Sequence, residues 1–156
     1  MEPSRFDEVA FFSALDRSGA RALLIGRRAL VLLGLPVLTA DYDFWLSIED
    51  IVLFNAVGSE FDLQPSRSPE EARQHGRYTL ENDEHVDVLV ARSIPTASGA
   101  TIDFDTLWSR RQSLSIDGVT VAVPSIDHLI LTKQVATRPK DLEDIRLLRI
   151  LKDARP

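Results

Sequence analysis

Asp41 and Asp43 stand one residue apart where an apolar segment begins, and Asp87 is the one charge within Val86-Asp87-Val88-Leu89-Val90. Side chains alternate along a strand, so Asp41 and Asp43 share one face while Tyr42 and Phe44 take the other. Neighbouring carboxylates repel, and both stay ionised at low cost only with a cation between them. A hard divalent ion, Mg2+ or Mn2+, takes such oxygen ligands and completes its shell with water and phosphate oxygens. Upstream, Gly26 lets backbone approach a ligand closely, and the N–H groups opening the next helix can receive phosphate. Arg27 and Arg28 fall at that helix start, the wrong sign for its dipole by roughly 0.3–1 kcal/mol each. A bound polyphosphate would reverse the penalty, while a plain solvated helix start accounts for the two arginines equally well. Asp87 poses a separate demand: an ionised carboxylate in an apolar strand costs several kcal/mol unless it is paired or bound to metal.

The elements that must position these residues follow from patterning. A helix is expected from a capping box at Ser4 and Asp7 to a stop at Gly19, with Phe6, Val9, Ala10 and residues 12–15 on its apolar stripe. Residues 21–25 read as a short buried strand, followed by about two helical turns closed by Gly34 and then the strand opening with Asp41. A further helix is expected from Ser47 to about Val57. Residues 62–76 are polar and punctuated by Pro65, Pro69 and Gly76; they read as a mobile or substrate-facing loop with at most one helical turn at 69–74. Residues 77–80 and 85–91 form a hairpin, and 92–101 a loop. A short helix at 103–110 precedes a second hairpin around Asp117-Gly118, a strong two-residue turn signal. Helices then start at Pro124-Ser125 and at Pro139, the latter suited to a first helical position. Trp45 shares the face of Asp43, as a core or rim aromatic bordering the pocket, and His75, His85 and His128 read as surface histidines.

Bulk properties bound the possibilities. With 156 residues, 44% hydrophobic and 27% charged, the chain is sized for one domain spanning 1–156, its last helices from about 125 packing on the core. A net charge of −6 argues against broad nucleic-acid binding, and the lack of cysteine excludes disulfides and thiolate metal sites. No leader-like segment and no run of about 18 apolar residues occurs, so a cytoplasmic location without membrane contact is expected.

The order Gly26, Gly34, Pro36, Thr39, Asp41, Asp43 resembles the core of the nucleotidyltransferase superfamily, whose usual pattern is strand, Gly-Gly or Gly-Ser, helix, Gly-x-Pro-Arg-x-Thr-x-Asp-x-Asp. It looks close to the minimal nucleotidyltransferases, the antibiotic nucleotidyltransferases and the nucleotidyltransferase toxins of the abortive-infection type. The last third is similar as well, in Pro124-Ser125, Leu129-Ile130, Lys133 and the run from Arg138 through Asp141 and Asp144 to Ile145. Two positions depart: Arg27 stands where a second small residue is usual, crowding the place of the triphosphate, and Val37 where arginine is common, removing a phosphate or structural contact.

The resemblance implies an α/β (α+β) polymerase-beta-like fold, a small mixed twisted sheet flanked by helices. It implies Asp41 and Asp43 as bridging metal ligands and Asp87 as third ligand and general base. Gly26, Arg27, Arg28 and Thr39 would surround the nucleotide, Lys133 would reach its phosphates, and Asp141 would orient Lys133 or another basic group near the pocket. The implied reaction moves NMP from an NTP to a hydroxyl or phosphate on tRNA, protein or a small molecule, in a toxin with an antitoxin partner in some relatives. The alternative is an inert module that kept the scaffold for nucleotide binding or protein interaction.

Overall fold

The computed structural model describes residues 6–136 and 138–155. The first helix, α1 (Glu8–Ser18), is capped by Asp7, whose carboxylate accepts from the Ala10 N–H, and stops at Gly19 in the left-handed region. The expected cap Ser4 lies outside the described residues, and the cap at Asp7 starts the helix at Glu8. β1 (Ala22–Ile25) leads into α2 (Gly26–Leu32), and β2 (Tyr42–Leu46) follows a loop that turns at Gly34.

Next comes α3 (Ile51–Ser59), later than the Ser47 start expected from sequence. The reason is tertiary. Ser47 is buried and its N–H donates to the Arg21 carbonyl, extending the β1–β2 ladder, while Asp50 receives the Arg21 N–H and Nε, both at 3.0 Å.

Residues expected to form a loop are structured. β3 (Gln64–Pro65) pairs with β4 (Arg77–Glu81), and between them α4 (Pro69–His75) carries a complete Ser68/Glu71 capping box. β5 (His85–Val90) closes the hairpin with β4. A ribbon of β6 (Ser93–Pro95) and β7 (Thr101–Asp103) stands where a plain loop was expected, and α5 (Phe104–Ser109) follows it. β8 (Gln112–Ile116) and β9 (Val119–Val123) form the second hairpin, turning through positive φ at Asp117 and Gly118 as a type I′ turn requires. Two helices complete the chain: α6 (Ile126–Lys133), capped by Ser125, and α7 (Pro139–Ala154).

The main sheet runs β1-β2-β5-β4-β3, with β2 and β5 parallel and the other neighbours antiparallel. One face, with Tyr42, Phe44, Leu46, Val86, Val88 and Val90, is buried under Phe11 and Phe12 of α1 and Phe54 of α3. Each such aromatic or aliphatic side chain contributes about 1.5–3 kcal/mol by leaving water. The opposite face is covered at one end only, where Leu23 and Trp45 meet Ile102, Phe104 and Leu107. Its other end carries Asp43 and Asp87. Among the described residues no helix is long and apolar enough to cross a membrane.

Candidate active site

Period-two alternation and strand register place the acids. Ile25, Asp43, Asp87 and Thr79 are successive Cα partners across β1, β2, β5 and β4, so Asp43 and Asp87 stand side by side on the half-covered face. Asp41 precedes β2 by one residue and is exposed. Its backbone is fixed by Thr39, whose hydroxyl accepts the Asp41 N–H at 3.1 Å. Gly26 has φ +70°, and a Cβ there would overlap the carboxylate of Asp43. Only glycine lets the first turn of α2 come this close to the acids. That turn has no side-chain cap, so its first N–H groups lack a side-chain acceptor.

The pKa of Asp43 is raised. Burial is the largest cause, and the carboxylates of Asp87 and Asp41 add to it against the opposing charges of Lys133 and Lys140. Among the described residues, no group of three carboxylate or imidazole side chains is gathered as a ready ligand set. Asp87 directs Oδ1 to His85 Nε2 at 3.0 Å, and His85 Nδ1 meets Glu81 Oε1 at 2.9 Å. Burial lowers the His85 pKa, but the hydrogen bond to Asp87 and the charges of Asp87, Glu81 and Asp41 outweigh it, leaving the imidazole above its ordinary value. Sequence reading took His85 for a surface histidine. Its i, i+2 spacing from Asp87 on one strand face was the available signal.

The basic residues are held in a second group. Lys133 is buried on α6, and its Nζ donates to Asp144 Oδ2 at 2.8 Å; Asp144, on α7, is fully buried. Arg27 joins the same carboxylate, Nε to Oδ2 at 3.3 Å and Nη2 to Oδ1 at 3.2 Å, and reaches the Leu38 carbonyl at 3.5 Å. The partner of Lys133 is thus Asp144. Asp141 instead takes Arg138, whose Nε donates to it at 2.9 Å, and Arg138 feels the charge of Asp43. The pair caps the start of α7, since Asp141 also accepts the Arg138 N–H. Arg28 is engaged elsewhere: it lies over the Tyr42 ring at 4.2 Å, 3.7 Å from Glu8, and donates to the Thr39 carbonyl at 3.2 Å. It buttresses the loop that delivers Asp41.

Trp45 does not border the acids. It is fully buried, stacks edge-on against Phe104 and donates its indole N–H to the Ala91 carbonyl at 2.8 Å, because β7 and α5 cover that end of the face. Two surface depressions, of about 150 and 210 Å³, are lined by residues other than Asp41, Asp43 and Asp87.

Neither the protein-family models nor the curated proteins contain a match to this chain. Solved structures do. The antibiotic-resistance factor ANT(2'')-Ia, in complex with adenylyl-2''-tobramycin, superposes with a TM-score of 0.65 at 18% identity, over 93% of this chain and 87% of that one. The lincosamide antibiotic adenylyltransferase LnuA with lincomycin gives 0.62 at 14% identity, over 94% and 98%. A candidate nucleotidyltransferase from Thermotoga maritima gives 0.59 at 17%, over 93% and 89%. The chain shares the fold of these nucleotidyltransferase structures. Within it, Asp43 and Asp87 lie on the neighbouring parallel strands β2 and β5, and Gly26 opens the helix beside them.

Proposed function

We propose that this nucleotidyltransferase-fold chain, taken as one catalytic unit over 1–156, transfers NMP from an NTP to a hydroxyl or phosphate of an acceptor. The observation that carries the reading is the strand pairing of Asp43 with Asp87 on one sheet face, with Gly26 opening α2 against Asp43.

The residues on offer are carboxylates, the oxygen donors a hard divalent cation takes, and Asp43 and Asp87 are adjacent in register, although the described residues hold no ready three-ligand set. Asp41 and Asp43 would hold Mg2+ or Mn2+, with Asp87 as a third ligand. When bound, the metal neutralises charge on the transferring phosphoryl group and lowers the acceptor's pKa. Asp87 would take the acceptor's proton. The acceptor oxygen forms the new bond to the α-phosphorus while the bond from that phosphorus to the bridging oxygen breaks, and pyrophosphate leaves with that oxygen. The N–H groups of the first α2 turn and the Lys133 ammonium would hold the β and γ phosphates. Thr39 fixes the backbone of Asp41 by accepting its N–H.

Among acceptors, a small neutral or cationic molecule fits best. Glu81, Asp83 and Glu84 flank Asp87 on the β4–β5 hairpin and the chain carries −6 overall, a field that repels RNA phosphates. An antitoxin-paired enzyme modifying tRNA or protein is the competing acceptor class, and an inert scaffold module the competing function. The test incubates α-labelled NTPs with Mg2+ or Mn2+, an aminoglycoside and lincosamide panel, and cellular RNA and protein, comparing wild type with Asp41→Ala/Asp43→Ala. Label transfer confined to wild type supports the reading; transfer surviving the double substitution refutes it.

A further inference from the structure

The helix α3 reads Ile51-Val-Leu-Phe-Asn-Ala-Val-Gly-Ser59 and carries no charged side chain along its length. Ile51, Phe54, Val57 and Gly58 are buried on its inner face. The face turned outward is apolar as well: Val52 is 63% and Leu53 45% exposed, and Ala56 is exposed one turn further on. A helix that is hydrophobic all round is ordinarily covered all round. The contrast is α7, which also exposes Leu142 and Ile150 but sets Glu143, Arg146 and Arg149 among them. Apolar residues scattered singly in that way need no partner. On α3, Ala56 sits at the middle of the outer face, with Val52 and Glu60 one turn to either side. So small a residue lets a second helix cross at an interaxial distance of about 8 Å.

Charge differs between the two ends of α3. At its start, Arg73 Nε donates to the Ile48 carbonyl at 3.3 Å, and Arg92 reaches toward Glu49 at 3.6 Å with most of its side chain exposed. Arg21 is there too, paired with Glu49 and Asp50, so three guanidiniums stand against two carboxylates. At its other end Glu60 and Asp62 are exposed, and the Asn82 amide donates to the Phe61 carbonyl at 2.9 Å, bringing the acidic turn of Asp83 and Glu84 alongside. Among the described residues none of these four acids is paired with a cation. We propose that α3 is the contact face for a second copy of this chain, in a two-fold dimer whose axis passes beside Ala56 and sets the two α3 helices antiparallel. A two-fold contact pairs one patch with itself. Antiparallel crossing lays the basic start of each α3 on the acidic end of the other, whereas parallel crossing would stack acid on acid. Val52 and Leu53 then leave water against Ser59 and the stem of Glu60 in the second copy. Asp43 and Asp87 lie on the opposite sheet face and stay open, whatever they bind.

The test is sedimentation velocity over about a hundredfold range of protein concentration, for wild type, Ala56→Arg, Arg73→Glu and Arg73→Glu/Glu60→Lys, each checked for folding by circular dichroism. Wild type is expected to pass from monomer to dimer as concentration rises, with a dissociation constant raised about tenfold or more by Ala56→Arg and several-fold by Arg73→Glu. Adding Glu60→Lys to Arg73→Glu exchanges the two charges and is expected to restore most of the lost affinity. The chain has no cysteine, so a single introduced thiol reports the contact directly. Ala56→Cys is expected to form a disulfide-linked dimer under mild oxidation much faster than Ser115→Cys, a control at an exposed position on β8, and this arm stands even if Ala56→Arg does not fold. A wild type that stays monomeric throughout overturns the proposal and leaves the face to a different partner. It is overturned equally by a dimer indifferent to folded Ala56→Arg, by Ala56→Cys cross-linking no faster than the control, or by a charge exchange no better than Arg73→Glu alone.

Discussion

Asp43 and Asp87 are Cα partners on the parallel strands β2 and β5, so they share one face of the sheet, and both are half-buried. Burial and this pairing raise the pKa of Asp43, with Asp41 contributing and Lys133 opposing. A site that concentrates charge for a ligand does so against the stability of its own fold.

Asp43→Asn is therefore expected to raise the melting temperature at pH 7 in EDTA while removing metal-dependent chemistry. The sign follows from linkage. A carboxyl whose folded-state pKa lies above its ordinary 3.8 contributes fully below that pH and loses the contribution as pH rises through the folded-state pKa. The gain from asparagine should thus shrink to nothing near pH 4. Thermal melts from pH 4 to 8 check it, and a destabilised variant at pH 7 would contradict it.

Gly26→Ala tests the close approach of α2. Positive φ alone costs an L-residue roughly 1–2 kcal/mol, and the added methyl overlaps the Asp43 carboxylate. Urea denaturation should show a loss of at least that size, together with a fall of tenfold or more in NTP affinity. Gly34→Ala, where φ is +87° but open space surrounds the position, should lose stability with little effect on NTP binding.

Asp144→Ala leaves Lys133 buried without its partner, and such a break costs about 3–5 kcal/mol. Lys133→Met/Asp144→Leu, which removes both charges, should recover most of that loss in urea denaturation while binding NTP no better than the single variant. Recovery of binding along with stability would show the pair to be structural only.

Much of this arrangement was legible before any coordinates. Alternation put Asp41 and Asp43 opposite Tyr42 and Phe44, the lone charge in 86–90 marked Asp87 as needing a partner, and Asp117-Gly118 and Pro139 marked their turn and helix start. What escaped was decided by contacts distant in sequence. Local spelling makes Ser47 a helix cap, but its N–H is taken by Arg21 of the neighbouring strand. Strand spacing puts Trp45 with Asp43, but β7 and α5 cover its half of the face, and the β6–β7 ribbon arises from a Pro, Ser and Gly-containing stretch that reads as loop. The resemblance offered Asp141 to orient Lys133 or another basic group, and only the packing of α6 on α7 chooses Asp144 for Lys133. His85 was passed over for want of a metal-spaced partner; Glu81 and Asp87, on either side of it, come from strand register.

The central claim, that the acid row takes a nucleotide through a divalent cation, is tested most directly by calorimetric titration of each NTP into wild type and Asp43→Asn, with Mg2+ and with EDTA. The account predicts saturable binding by wild type in Mg2+ that weakens at least tenfold in EDTA and again in the variant. Binding equal in all conditions, or no binding of any NTP to folded wild type, would contradict it.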